Sequence, residues 1–298
     1  MRHDAVIIGG SYAGMSAALQ LARARRTVLV VDAGRRRNRF AHAAHGFLGS
    51  DGEAPGAIAE RARTQLLRYP TVTWIEGDVS GAHPIDDGFR VRVEGGDTHE
   101  GRRLVLATGV VDTLPEIPGL AERWGRSVFM CPYCDGYELD RGPLGVLATA
   151  PMWFHHAMLI PEWGPTTLFT NGAWHPDDSQ RTALAQRGVS VVEDRVLAVG
   201  GERATMELEG GHSIDLAGLF LMPRTRMAST VAADLGCDMD EGPMGPFIRT
   251  SPMKETSIPG VFACGDVARA AGSVALAVGD GAMTGAATHR SLIEAFHA

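Results

Sequence analysis

Ala5-Val6-Ile7-Ile8 is a short continuous apolar run that stops abruptly at Gly9-Gly10-Ser11-Tyr12-Ala13-Gly14. Such a run reads as a strand buried on both faces, as in a parallel sheet. A helix of small residues follows, Met15 to Ala24, and then a second apolar run, Thr27 to Val31, ending in Asp32, 23 residues after Gly9. Strand, glycine turn, helix, strand and acid at this spacing form the dinucleotide-binding fingerprint. The turn lets main-chain N–H groups approach a pyrophosphate at the helix N-terminus, and the acid accepts from ribose hydroxyls. Ser11 stands where the middle glycine belongs, and a small polar residue still allows the close approach. The alternative is a glycine-rich turn in some other α/β domain.

The chain beyond Asp32 adds pieces around this unit. Arg35-Arg36-Arg37-Asn38-Arg39 is a basic loop, suited either to nucleotide phosphates or to solvent. His42 to Gly49 has neither helical nor strand period, as expected of a segment that wraps a cofactor. His42 and His45 lack a third ligand for a metal. Thr71 to Val93 alternates apolar and polar residues around Asp86-Asp87-Gly88, which predicts strands and a hairpin. Leu104-Val105-Leu106-Ala107-Thr108-Gly109 is another buried strand ending in a small-residue turn, and Gly260 to Asp266 is a third, ending in Gly265-Asp266. From Ser273, a helix of small residues, Val274 to Ala287, is expected to pack tightly under a ligand. Pro115 and Pro118, and later Pro243 and Pro246, read as linkers. They divide the chain into a discontinuous domain, 1–114 and 246–298, with a second, 115–245, inserted into it.

The inserted segment carries Cys131-Pro132-Tyr133-Cys134-Asp135-Gly136. Two cysteines two residues apart in a reducing compartment are redox-active or metal-binding more often than structural. The other two, Cys237 and Cys264, are isolated, so four zinc ligands are not available, and Cys264 reads as a small core residue. In a redox pair one thiolate meets the substrate while its partner closes the ring and passes the electron pair onward. Asp135 is placed to shuttle protons to a leaving thiol, or else simply to turn the chain with Gly136. Leu144 to Thr149 would start a second nucleotide unit, but Ala148 to His156 contains no glycine, Pro151 removes a donor, and Trp153 and Phe154 are bulky. Thr166 to Thr170 then runs into Asn171-Gly172-Ala173-Trp174-His175 without the arginines that read a 2′-phosphate. Nicotinamide binding therefore reads as lost or much altered. His155 and His156 are either catalytic bases or packing residues.

At 298 residues and 45% hydrophobic content, a soluble globular protein of two domains or one large one is expected. The net charge of −7 argues against nucleic acid or an anionic membrane as partner. Met1 to Asp4 leads straight into the first strand, leaving no room for a signal peptide, so a cytoplasmic location is expected. The apolar stretch Leu144 to Ile160 is too interrupted to span a bilayer.

These residues together resemble the low-molecular-weight thioredoxin reductase family over essentially the whole chain. The likeness rests on the fingerprint ending in Asp32, Ala107-Thr108-Gly109, Cys131-x-x-Cys134-Asp135-Gly136, and Val261 to Asp266. It implies an α/β flavoprotein, usually a homodimer, with two Rossmann-like three-layer domains, the second inserted into the first. FAD lies on the terminal halves in that family. By this likeness Cys134 faces the isoalloxazine, Cys131 meets the substrate and Asp135 is the acid/base. Gly9, Gly10, Ser11, Tyr12, Ala13 and Gly14 hold the pyrophosphate, Asp32 the adenosine ribose and Asp266 the ribitol. Ala33, Asn38, His45, Gly46 and Val79 join the FAD set, with Ala107 to Gly109, Gly265, and Ser273-Val274-Ala275. The missing NADPH fingerprint, together with Cys-Pro-Tyr-Cys and His45-Gly46-Phe47-Leu48, is similar to the branch of flavin-dependent dithiol oxidases. In that branch electrons flow from a small-molecule dithiol through the cysteine pair and FAD to oxygen, with release of peroxide. The rival readings are a disulfide reductase fed by NADPH or another donor such as ferredoxin, acting on thioredoxin or a small disulfide, and a flavin-bound redox sensor without turnover.

Overall fold

The computed structural model describes residues 2–150 and 153–294. The chain divides into two compact units, one of Met1–Arg39, Phe47–Asp112 and Thr225–Ala298, the other of Phe40–Gly46 and Thr113–Arg224.

In the first unit the strands Arg2–Ile8, Val28–Asp32, Val72–Glu76, Thr98–Leu106 and Val261–Ala263 run parallel, with Ile8 level with both Val31 and Leu106. On its edge away from Arg2–Ile8, Thr98–Leu106 serves two neighbours. Its first half pairs antiparallel with Gly88–Val93, which continues the sheet to Val79–Ile85, while Leu104, Val105 and Leu106 pair with Val261–Ala263. The expected hairpin is present: Ile85 opposes Gly88 across Asp86-Asp87. Strand alternation sends Val6, Ile8, Leu29, Val31, Leu104 and Leu106 into one core with Phe89, Val91 and Val93. Helices Tyr12–Arg23 and Val274–Glu294 cover the other face, and glycine sets how closely they approach. A Cβ on Gly281 would lie 2.1 Å from the Ala13 carbonyl oxygen, and one on Gly285 2.4 Å from that of Ala17. The carboxyl ends of the parallel strands all open into small-residue turns, at Gly9, Ala33-Gly34, Gly77, Ala107 to Gly109 and Gly265. This is the edge of an open α/β sheet where ligands bind.

The second unit holds a wholly parallel sheet in the order Ser190–Val192, Thr166–Phe169, Leu144–Leu147, Gly218–Phe220, Val128–Phe129. An antiparallel meander accompanies it, Val196–Gly200, Ala204–Leu208 and Ser213–Leu216. Helix Asp178–Gln186 starts on a capping box made by Asp177 and Gln180. The exit from this unit falls at Arg224, earlier than the expected 245. Pro243 to Pro246 instead turns a hairpin between Met239–Glu241 and Pro246–Ile248, and Met227, Val231, Ala232, Leu235 and Met239 pack on the core of the first unit. Apolar burial thus holds residues 225–245 with that unit. Among the described residues no helix is long and apolar enough to cross a membrane.

Candidate active site

The first unit supplies a cradle. Gly9, at φ +104°, sits where a Cβ would lie 2.2 Å from the Ala107 carbonyl oxygen, and a Cβ on Gly14 would lie 1.8 Å from that of Gly9. Only glycine permits the turn. The Gly10 amide donates to Asp32 Oδ1 at 2.9 Å, so the acid is already oriented at the turn. Ser11 begins helix Tyr12–Arg23 without capping it through its side chain, which leaves the first amides for a ligand. A cavity of about 260 Å³ beside the turn is lined by Gly10, Asp32, Ala33, Arg36, Arg63 and Trp74, among others. The Arg63 guanidinium stands 4.7 Å over the Trp74 ring.

Further around, the buried Tyr12 hydroxyl donates to the Pro55 carbonyl at 2.9 Å and accepts from Asn38 Nδ2 at 3.3 Å. Asn38 Oδ1 and Arg36 Nε are buried without a hydrogen-bond partner, an acceptor and a donor that a polar ligand would satisfy. A Cβ-free turn, an oriented acid and orphaned polar atoms together fit a flavin dinucleotide. Ala107 donates to the Ile8 carbonyl, and the Gly109 carbonyl accepts from Ala228. The Gly265 amide donates to buried Asp280, and Ser273 starts the last helix, its Oγ accepting from Leu276 and its carbonyl from Ala277. Val274 and Ala275 form the first turn of that helix. Ala13 belongs to the fingerprint helix and would meet a Cβ placed on Gly265. Val79 packs against the core at the start of its strand. Asp266 accepts from Arg37, which also engages Asp112; sequence reasoning missed both partners, though Arg37 lay in the basic loop it singled out.

The second unit supplies the thiols. Cys131 begins the single helical turn Pro132–Asp135, with proline at the first helical position, where no amide partner is lost. The Cys134 amide returns to the Cys131 carbonyl at 3.1 Å. Gly136 is required here because a Cβ would sit 2.6 Å from the Pro132 carbonyl oxygen and 2.7 Å from Trp163. Trp163 in turn meets Tyr133 edge-on at 5.2 Å, and the Tyr133 ring is 70% exposed between the two cysteines.

Both cysteines are half-buried thiols. The hydrogen bond between the two side chains draws the Cys131 thiol down to about 7, helped by main-chain hydrogen bonds from Cys134 and Tyr133 against the effect of burial. The same hydrogen bond, then burial and the charges of Cys131 and Asp135, push Cys134 strongly upward. The shared hydrogen bond thus favours the first ionisation at Cys131 and holds the remaining proton on Cys134. Burial, followed by the Cys131 charge, raises the Asp135 carboxyl to about 7, with Glu138 adding to the rise and His45 opposing it.

His45 and Gly46, expected in the FAD set, belong to the second unit, where His45 Nε2 lies 3.5 Å from Glu138 Oε1. Its companion in the metal reading, His42, joins no cluster able to hold a metal among the described residues. His156 donates to the main-chain carbonyl of Met130, next to Cys131, and its ring lies 5.0 Å from that of Trp153. Burial pushes its imidazole down, so it stands neutral as a brace at neutral pH. Trp153 is 1% exposed and donates through Nε1 to Thr149 Oγ1 at 2.8 Å. Pro151, expected to remove a donor there, lies outside the described residues.

Residues 3–152 match the pyridine nucleotide-disulphide oxidoreductase family. The thioredoxin reductase tcpT of Claviceps purpurea is 36% identical over 88% of this chain and 86% of its own length. Among solved structures, an oxidoreductase from Agrobacterium tumefaciens is 57% identical with a TM-score of 0.96 over 99% of each chain. The crystal structure of HlmI is 37% identical, with a TM-score of 0.89 over 98% of this chain and 92% of that one. A fingerprint cradle, a redox-spaced cysteine pair and these matches lead to one assignment: the chain belongs to the pyridine nucleotide-disulphide oxidoreductase family, as an FAD-dependent flavoprotein of the thioredoxin reductase type.

Proposed function

We propose that this chain is a dithiol oxidase acting on a small molecule, with the net reaction dithiol plus O₂ giving disulfide plus H₂O₂. The observation that carries the reading is Trp153. A nicotinamide-binding unit of this fold needs a glycine turn where its first strand meets the next helix, so that main chain can approach a diphosphate. In this chain Leu144–Leu147 leads into Ala148 and Thr149, and the helix Trp153–Leu159 begins with an indole buried among Val146, Ala148 and Leu168. At the end of the neighbouring strand, Asn171 Oδ1 accepts from the Val196 amide at 2.8 Å, and the segment 171–175 that follows the strand contains no arginine to read a 2′-phosphate.

The chemistry then follows from the thiols. A substrate thiolate attacks Cys131 Sγ in the oxidised pair, breaking the Cys131–Cys134 bond. The substrate's second thiol displaces Cys131 and closes the product disulfide, leaving two electrons on the cysteine pair. A thiol that titrates near 7 is a good leaving group and a competent nucleophile at neutral pH. Asp135 holds or releases the proton at each exchange, since it too titrates near 7. FAD bound through Gly9 to Gly14, Asp32 and Asp266 supplies a two-electron acceptor that oxygen regenerates. A second reading has one specific support, the name of tcpT, a thioredoxin reductase, at 36% identity: a reductase that takes electrons from NADPH or another donor.

Mixing the holoprotein with NADPH without oxygen, then with a small dithiol, separates the two by the visible absorbance of the flavin. Bleaching by dithiol alone, reversed by air with peroxide release, is expected. Prompt bleaching by NADPH would sink the oxidase reading, and absence of turnover with either donor would favour a sensor.

A further inference from the structure

Arg37, in the basic loop, is largely buried against acids from two distant segments. Its Nε and Nη2 donate to the Asp112 carboxylate at 3.1 and 2.5 Å, and its Nη1 donates to Asp266 Oδ2 at 2.8 Å. The three side chains are only 19%, 10% and 20% exposed. Gly272 closes on the other side of Asp266, where a Cβ would lie 2.0 Å from Oδ1. Arg35, by contrast, pairs with Asp78 at the exposed edge.

We infer that Arg37 is the positioning residue for Asp266, holding that carboxylate in the orientation from which it accepts hydroxyls of the flavin's polyol chain, with Asp112 as the anchor of the guanidinium. The inference rests on the reading of Asp266 as the polyol acceptor. A planar guanidinium with five fixed N–H directions can grip one carboxylate side-on and direct a remaining donor to a second; an ammonium cannot. One donated bond leaves Asp266 with acceptor capacity on both oxygens. Without the cation, two adjacent and largely buried carboxylates repel, and Asp266 loses its fixed direction.

The test is a thermodynamic cycle on FAD affinity, read by fluorescence quenching as apoprotein is titrated with FAD, with the apoprotein melting curve as the fold control. Arg37→Met is expected to weaken FAD binding about 10–100-fold, the range seen when a group that orients a ligand is removed. In an Asp266→Asn background the same change is expected to add nothing further, because both act through one carboxylate. Full additivity would overturn the inference and make Arg37 a direct contact, for instance to the diphosphate. Wild-type affinity in Arg37→Lys would overturn it as well. If Asp266→Asn itself binds FAD normally, the reading of Asp266 fails and the inference with it. Asp112→Asn, nearly isosteric, provides a variant should Arg37→Met fail to fold, and is expected to weaken FAD through loss of the anchor; unchanged affinity there would count against the triad.

Discussion

A carboxyl held near 7 is destabilised as an anion, and for Asp135 the destabilisation is readable in both stability and rate. Its folded pKa lies above that of an unfolded aspartate, so between about pH 4 and pH 7 the native state binds more protons. Stability therefore falls as pH rises through that window. Asp135→Asn should melt higher than wild type at pH 8, by on the order of 1–3 kcal/mol, with the gain vanishing by about pH 4, while turnover drops roughly 10²-fold or more through loss of the acid/base group. Thermal melts across pH, paired with peroxide production, check both arms. Cys131 yields a second prediction. Its low pKa comes first from the Cys134 side chain, so in Cys134→Ala the midpoint of Cys131 alkylation by iodoacetamide should move from about 7 to the ordinary thiol range of about 8.5 or above. An unmoved midpoint would assign the effect to the main-chain donors. The cysteines and Asp135 were legible in sequence because their chemistry depends on residue type and spacing. Their tuning was not, because it comes from the hydrogen bond between the two cysteine side chains and from burial, with His45, some 90 residues from Asp135 in the chain, opposing the rise of that carboxyl.

Helices and turns show the same division between what a local pattern carries and what packing decides. The fingerprint turn was legible because Gly9, at φ +104°, and Gly14, against the Gly9 carbonyl, answer a local demand on the main chain. The exit at Arg224 was not, since prolines mark hairpin turns as readily as linkers and only the packing of Met227, Val231 and Met239 shows where residues 225–245 belong. Glycines in the last helix looked merely small in sequence, yet Gly281 abuts the carbonyl of Ala13 on the fingerprint helix. Gly281→Ala should cost roughly 1–3 kcal/mol by overpacking, and because the displaced helix is the one that opens at the diphosphate turn, purified protein should carry less FAD. Measuring melting temperature and the flavin-to-protein absorbance ratio tests both. Trp153 makes the complementary case. Its removal by Trp153→Ala should cost about 3–5 kcal/mol and confer no NADPH binding, since the glycine turn would still be absent.

For the molecule as a whole, the proposed reaction fixes how many electrons one chain can store. The second unit holds one disulfide's worth of oxidising capacity in Cys131 and Cys134, and the first holds one flavin's worth. Cys237 and Cys264 add none. Each is a buried lone thiol, Cys264 wholly so and pushed up to about 12 by burial and by Asp280, which disfavours the thiolate that exchange requires. An anaerobic reductive titration of the oxidised holoprotein should therefore take up four electrons per chain, and Cys134→Ser should take up two. In the wild type the potential of the thiol pair decides which half fills first. A Cys131 thiolate stabilised by its neighbour favours the reduced pair, so the disulfide should be the stronger oxidant relative to an ordinary structural one and should fill early in the titration. Free-thiol counting at each point, set against flavin absorbance, resolves the order. Two electrons in wild type would mean that the cysteine pair is not redox-linked to the flavin at all, which would end the oxidase and reductase readings together and leave the flavin-bound sensor.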